Sequence, residues 1–153
     1  MSPRSRTNQL LYQAELLVGL PTGSDEHAQA RQMAIEESAL ALFELALNSL
    51  LKEVTEHARL HDHGWQVLLN EQGPAVAELQ RLRDLLHQPD SWLHWLIGHV
   101  EKLHSDEGVS KRAVQNPSMI AVGSQESVAD QLLVNLHAAK RDIAALRETS
   151  QEW

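Results

Sequence analysis

Nine histidines and no cysteine bound the chemistry open to this chain. Thiolate metal sites, cysteine nucleophiles and disulfides are excluded, which leaves imidazole, carboxylate and guanidinium groups. His57, His61 and His63 form an H-x3-H-x-H arrangement. Residues four apart share one side of a helix, so His57 and His61 suit two imidazole ligands on zinc or a similar divalent metal. His63 or Asp62 would add a ligand from the turn that follows. A helical projection puts both rings inside an apolar arc, facing the bundle or its end. The plainer reading is a helix terminus, where histidine is favoured by the macrodipole and bonds the last carbonyls. No cofactor is expected; zinc is the metal these residues would take.

Two carboxylate-x-x-His pairs, Asp84 with His87 and Glu101 with His104, match part of the ligand pattern of di-metal helical bundles. With nine histidines and 21 acidic residues, chance alone gives roughly one such pair. Glu101 also projects away from the apolar face of its helix, where an interior ligand does not belong. Arg81 and His87 have five residues between them, a spacing similar to the Arg-to-His motif of the helical ribonucleases. There a histidine serves as general acid or base and an arginine steadies a phosphate. Chance gives about one or two such matches here. Glu36 projects into the apolar arc among Met33, Leu40 and Phe43. A buried carboxylate needs a partner or a raised pKa; the expected reading is an Arg or Lys from a neighbouring helix, or solvent where the helix projects, and the alternative is a ligand or proton-handling role. Trp92 and Trp95 belong to a core stripe. Trp65 and Trp153 are either contact residues or, the reading preferred here, rings that close the edge of the core.

Helices must position all of these groups. The chain has 153 residues, which makes one domain large enough for a real core. It holds 25 Leu and 17 Ala against 10 Val, 4 Ile, 1 Tyr and 1 Phe, a composition for helices and against sheets. The periodicity predicts an all-α bundle of about five helices round one long central helix. The first runs from about Thr7 to Leu20, capped by Ser5 or Thr7, with Leu10, Leu11, Ala14, Leu17 and Val18 inward. The central helix spans about residues 25–60, capped by Ser24 or Asp25. At 1.5 Å rise it would reach roughly 50 Å, so it must bend, break near its polar start, or project from the body. Trp65 to Leu69 forms one short turn. Pro74 starts the next helix, which buries Val76, Leu79, Leu82 and Leu86 and stops at Pro89. Asp90 or Ser91 caps the one after it, which ends at His104. A last helix covers about Glu126–Glu148, with a seam of Ala129, Leu132, Leu136, Ala139, Ile143 and Leu146. Residues 105–123 lack helical periodicity, and Met119–Val122 is an apolar run there that would anchor the segment to the bundle.

Thirteen basic against 21 acidic residues give a formal charge of −8. That charge repels phosphate backbones and anionic membrane surfaces, so neither nucleic acid nor membrane is an expected partner. Lys111-Arg112 and Lys140-Arg141 are the paired basic spots, too small for a nucleic-acid footprint. Phosphate-cradling glycine loops, H-E-x-x-H and G-x-S-x-G are missing from the sequence. A polar N-terminus and interrupted apolar stretches predict a cytoplasmic protein.

Three stretches carry a family resemblance. They are Arg6-Thr7-Asn8-Gln9 with Leu11-Tyr12 and Ala14, then Glu78-Leu79-Gln80 with Pro89-Asp90-Ser91-Trp92-Leu93, then Ile120-Ala121 with Ser150-Gln151-Glu152-Trp153. Together they resemble a family of short, all-helical bacterial proteins of unknown function. The resemblance implies a single helical domain and no activity. It marks Arg6, Asn8, Tyr12 and Trp92, with Arg6 and Asn8 expected to organise a helix start and Tyr12 and Trp92 to fill the core. With no catalytic constellation above chance, the expected function is non-enzymatic: contact with a protein partner or with a second copy in a homo-oligomer. The alternative is a metal- or phosphate-handling enzyme using His57, His61 and His63, or Arg81 with His87.

Overall fold

A computed structural model of the chain describes residues 1–109 and 126–150. Within them lie six α-helices and no strand: α1 (Pro3–Val18), α2 (Ala28–Thr55), α3 (Trp65–Leu68), α4 (Ala77–Leu86), α5 (Trp92–Leu103) and α6 (Val128–Ser150). The expected all-α fold with one long central helix is the observed one, and a single apolar core runs through every helix. No helix among the described residues is long and apolar enough to cross a membrane.

The helix α1 starts four residues earlier than the apolar periodicity suggests. The Ser2 hydroxyl accepts from the Ser5 amide and Pro3 occupies the first helical position, so the cap is Ser2 rather than Ser5 or Thr7. That first turn faces solvent, and a stripe of buried residues leaves no trace of it. Thr7 is instead fully buried. The helix stops at Gly19, ahead of Pro21, and Gly23 takes a left-handed conformation in the turn to α2.

The central helix α2 is continuous over 28 residues, about 42 Å. It buries nothing fully before Glu36, and Gln32, Met33 and Ile35 are half-buried, so its polar start lies at the edge of the core. His27 holds the N-cap position without a side-chain cap. Asp25 accepts from the His27 amide at 3.1 Å and pairs with Arg31, whose Nε donates to the Thr22 carbonyl at 2.9 Å. The carboxylate therefore ties the loop to the helix instead of capping it. From Glu36 onward the inward face carries Ala39, Leu40, Phe43, Leu47, Leu50, Leu51 and Val54. The helix proper ends at Thr55, a 3-10 turn covers Glu56–Ala58, and Arg59 reverses the chain in the left-handed region.

Pro74 does not open α4. Its carbonyl is taken up by the Val76 amide at 3.0 Å and by the Arg83 guanidinium at 2.8 Å, and the helix begins only at Ala77. Arg83 is 3% exposed. Its Nε and Nη2 also donate to the Leu68 carbonyl, at 3.2 and 2.8 Å. One arginine thus pins the α3–α4 connection. A Cβ on Gly73 would sit 2.7 Å from that guanidinium and 2.9 Å from two carbonyls, so no side chain fits there.

Ser91 caps α5 as expected, accepting from the His94 amide at 3.1 Å. Trp92 is buried and stacks on Phe43, with centroids 5.9 Å apart, as the core reading requires. The seam of α6 is Val128, Leu132, Leu136, Ala139, Ile143 and Leu146, and Ala129 is only half-buried beside it. Val109 reaches the core from the chain after α5, whereas Met119–Val122, Lys111-Arg112 and Trp153 lie outside the described residues.

Candidate functional site

Two contacts fix how α1 lies against α6. Asn8 Oδ1 accepts from Arg147 at 2.9 Å, and Glu15 meets Lys140 at 2.6 Å. Seven residues up one helix correspond to seven down the other, so the two run antiparallel. Their lower ends meet the C-terminal end of α2 and the start of α4, and a polar cleft opens there.

The wall of that cleft is built from Glu53 on α2 and Arg147 on α6. Arg147 Nε donates to Glu53 Oε1 at 2.6 Å and Nη2 donates to Oε2 at 3.0 Å, a two-pronged pair. Behind it the Thr7 hydroxyl stands 2.9 Å from both the Ser49 hydroxyl and the Pro3 carbonyl, and 3.4 Å from Glu53 Oε2. Thr7 and Ser49 are buried polar residues, so this network joins α1, α2 and α6 by hydrogen bonds within the core. The cleft in front encloses about 230 Å³ and is lined by Arg4, Glu53, Val54, His57, Glu78, Leu146, Arg147 and Ser150. The Ser150 hydroxyl lies 3.2 Å from Glu78 Oε1 and 3.0 Å from the Leu146 carbonyl. Members of all three family-like stretches, Thr7 and Asn8, Glu78, and Ser150, meet at this one place.

The residues singled out from sequence fare differently. His57 sits on the 3-10 turn, exposed, and lines the cleft. His61 is exposed beyond the helix and His63 is half-buried. The helical spacing that would aim His57 and His61 to one side is lost because α2 stops at Thr55 and Arg59 reverses the backbone. Neither ring lies in the apolar arc, and among the described residues no three His, Asp or Glu side chains stand close enough to hold a metal. Arg81 bonds the Thr149 hydroxyl, while His87 turns to Glu71 at 2.9 Å. Arg81 lines a second cleft, of about 240 Å³, with Asp84, Trp92 and Asp142, and His87 is not part of it. Glu101 is exposed, and His104 pairs with Glu44 at 2.8 Å.

Glu36 is buried, as projected, but its partner is not a cation. Its Oε2 accepts from the Ala129 amide at 2.8 Å, at the first turn of α6. The carboxylate meets the positive end of a helix dipole and one of its orphan N–H groups, which serves the same need as an arginine. Trp65 closes the edge of the core: the half-buried ring packs there and its Nε1 donates to Glu44 at 3.0 Å. Tyr12 does not fill the core. It is 57% exposed, on the outer face of α1. Glu53, Arg147 and Arg4 went unmarked in the sequence reading. Glu53 projects only to the margin of the apolar arc, beside Ile35 and Ala46, a weaker signal than that of Glu36 among Met33, Leu40 and Phe43. Its partner 94 residues away gives no local signal.

An all-α chain with one core and a polar cleft at the meeting point of four helices does not by itself define an activity. The whole chain, residues 1–153, matches the model of a family of unknown function, DUF6586, and belongs to that family. No curated protein and no solved structure matches it. Its function is unknown.

Proposed function

We propose that this protein acts by protein–protein contact rather than catalysis, and that the contact is a homodimer formed through the outer face of α1. The observation that carries this reading is a row of uncharged side chains. Tyr12 and Leu16, one helical turn apart on α1, and Leu20, just beyond its end, are 57, 53 and 52% exposed. Between Arg6 and Asp25 the one charged residue is Glu15, and Lys140 neutralises it. A chain of charge −8 repels its own copy on most of its surface. Along α1 two copies approach without that repulsion, and a two-fold axis would set the same row against itself. The antiparallel register sets the exposed Leu133 and Val134 of α6 level with the Leu20 end of α1. The same net charge supports a partner that is neither nucleic acid nor an anionic membrane surface, and a cysteine-free chain suits the reducing cytoplasm.

Sedimentation velocity on wild type and Leu16→Glu tests the reading. Wild type is expected to sediment as a dimer. The variant should weaken dimerisation by at least about tenfold, the effect of losing roughly 1.5 kcal/mol of apolar burial, with thermal unfolding of the monomer unchanged. A wild type that stays monomeric at high micromolar concentration would sink the proposal.

A further inference from the structure

The cleft where α1, α2, α4 and α6 meet holds two opposite charges that do not satisfy each other. Arg4, in the first turn of α1, and Glu78, in the first turn of α4, both line it. They form no ion pair with one another, and the Arg4 and His57 side chains make no ion pair or hydrogen bond among the described residues. Arg147 and Glu53, in contrast, neutralise each other and supply a fixed wall with little free charge. Ser150 adds a hydroxyl beside Glu78. What remains is a space of about 230 Å³ in which a cation and an imidazole without partners among the described residues are set against a carboxylate. The cleft is open on one side, so this volume bounds only the part of a ligand seated in it, and a compact polar group fits that part.

The charges then decide the class of ligand. A solute with only a carboxylate would satisfy Arg4 but face Glu78 across a small cleft. A solute with only an ammonium would satisfy Glu78 and face Arg4. A compact zwitterion satisfies both, and each contact is a charge-assisted hydrogen bond. We propose that this cleft binds a free α-amino acid, with its carboxylate on Arg4 and His57 and its ammonium on Glu78. This site is separate from the outer face of α1 and stands whether or not the chain dimerises.

The test is a titration of the ¹⁵N-labelled full chain with each proteinogenic amino acid at millimolar concentration, followed by amide chemical shifts. Each amino acid is compared with its deaminated and decarboxylated counterparts, which for alanine are propionate and ethylamine. At least one amino acid is expected to move the amides of Arg4, His57, Glu78 and Ser150. It should bind at least about tenfold tighter than either counterpart, the loss that follows removal of one charge-assisted hydrogen bond. Arg4→Gln should weaken the amino acid and its deaminated counterpart alike. Glu78→Gln should make those two bind equally. The counterpart series on wild type needs no variant, so a misfolded variant does not spare the proposal. It is overturned if no amino acid moves the cleft amides, or if a counterpart binds as tightly as the amino acid. Unchanged affinity in both folded variants would overturn it as well.

Discussion

Arg83 shows how much one side chain can hold. Its guanidinium is buried and serves the carbonyls of Leu68 and Pro74, which have no regular ladder to enter. In Arg83→Ala both carbonyls lose this donor away from water. The expected cost is about 2–4 kcal/mol, read from the midpoint of urea denaturation at unchanged slope. Arg83→Lys should recover only part of it, because an ammonium cannot reproduce the planar fork. Leu50 makes the comparison on the apolar side. It is fully buried toward the C-terminal end of α2, so Leu50→Ala should cost about 2–5 kcal/mol in the same assay. A value below about 1 kcal/mol would mean that the core there can collapse around the cavity.

At the scale of elements, the start of α6 depends on a residue of α2. Glu36 accepts from the Ala129 amide, while the Ser127 hydroxyl accepts from the Asp130 amide at 3.1 Å. Glu36→Ala removes one of the two side-chain acceptors that cap the first-turn amides of α6. About 1 kcal/mol of stability should go with it, and hydrogen exchange at Ala129 should accelerate ahead of mid-helix amides such as Leu136. Equal protection at Ala129 in both proteins would show that the Ser127 cap suffices. The helices themselves were legible, because each buries a stripe at helical spacing, and Ser91 was legible as a cap because it precedes such a stripe directly. Starts failed where no stripe marks them. The first turn of α1 is polar throughout, and Pro74 looks like a first helical residue although Arg83 has claimed its carbonyl. Tyr12 was expected in the core from the family resemblance and not from periodicity; it lies with Leu16 on the side of α1 opposite the buried Thr7, Leu11 and Ala14.

On the scale of the whole molecule, the cleft is a product of register. Glu53 and Arg147, or Arg4 and Glu78, meet only because α1 and α6 run antiparallel and α4 starts beside both. No spacing within one helix encodes that. The histidines drew attention because they cluster in sequence, and only His57 reaches the cleft. Glu36 could be found as an acid in an apolar arc, whereas Glu53 lies only at its margin, and their partners, 93 and 94 residues away, required the fold.

The same antiparallel arrangement bears on how the molecule would respond to load. Residues 3 and 150 lie at one end of the α1–α6 pair, so a pull on them acts across the two helices rather than along them. The pair would open as a zipper, one turn at a time. The Asn8–Arg147 bond would part before the Glu15–Lys140 pair, and the first unit to leave would take a wall of the cleft with it. Pulled from those two points, the protein would open first at the place where its charges converge.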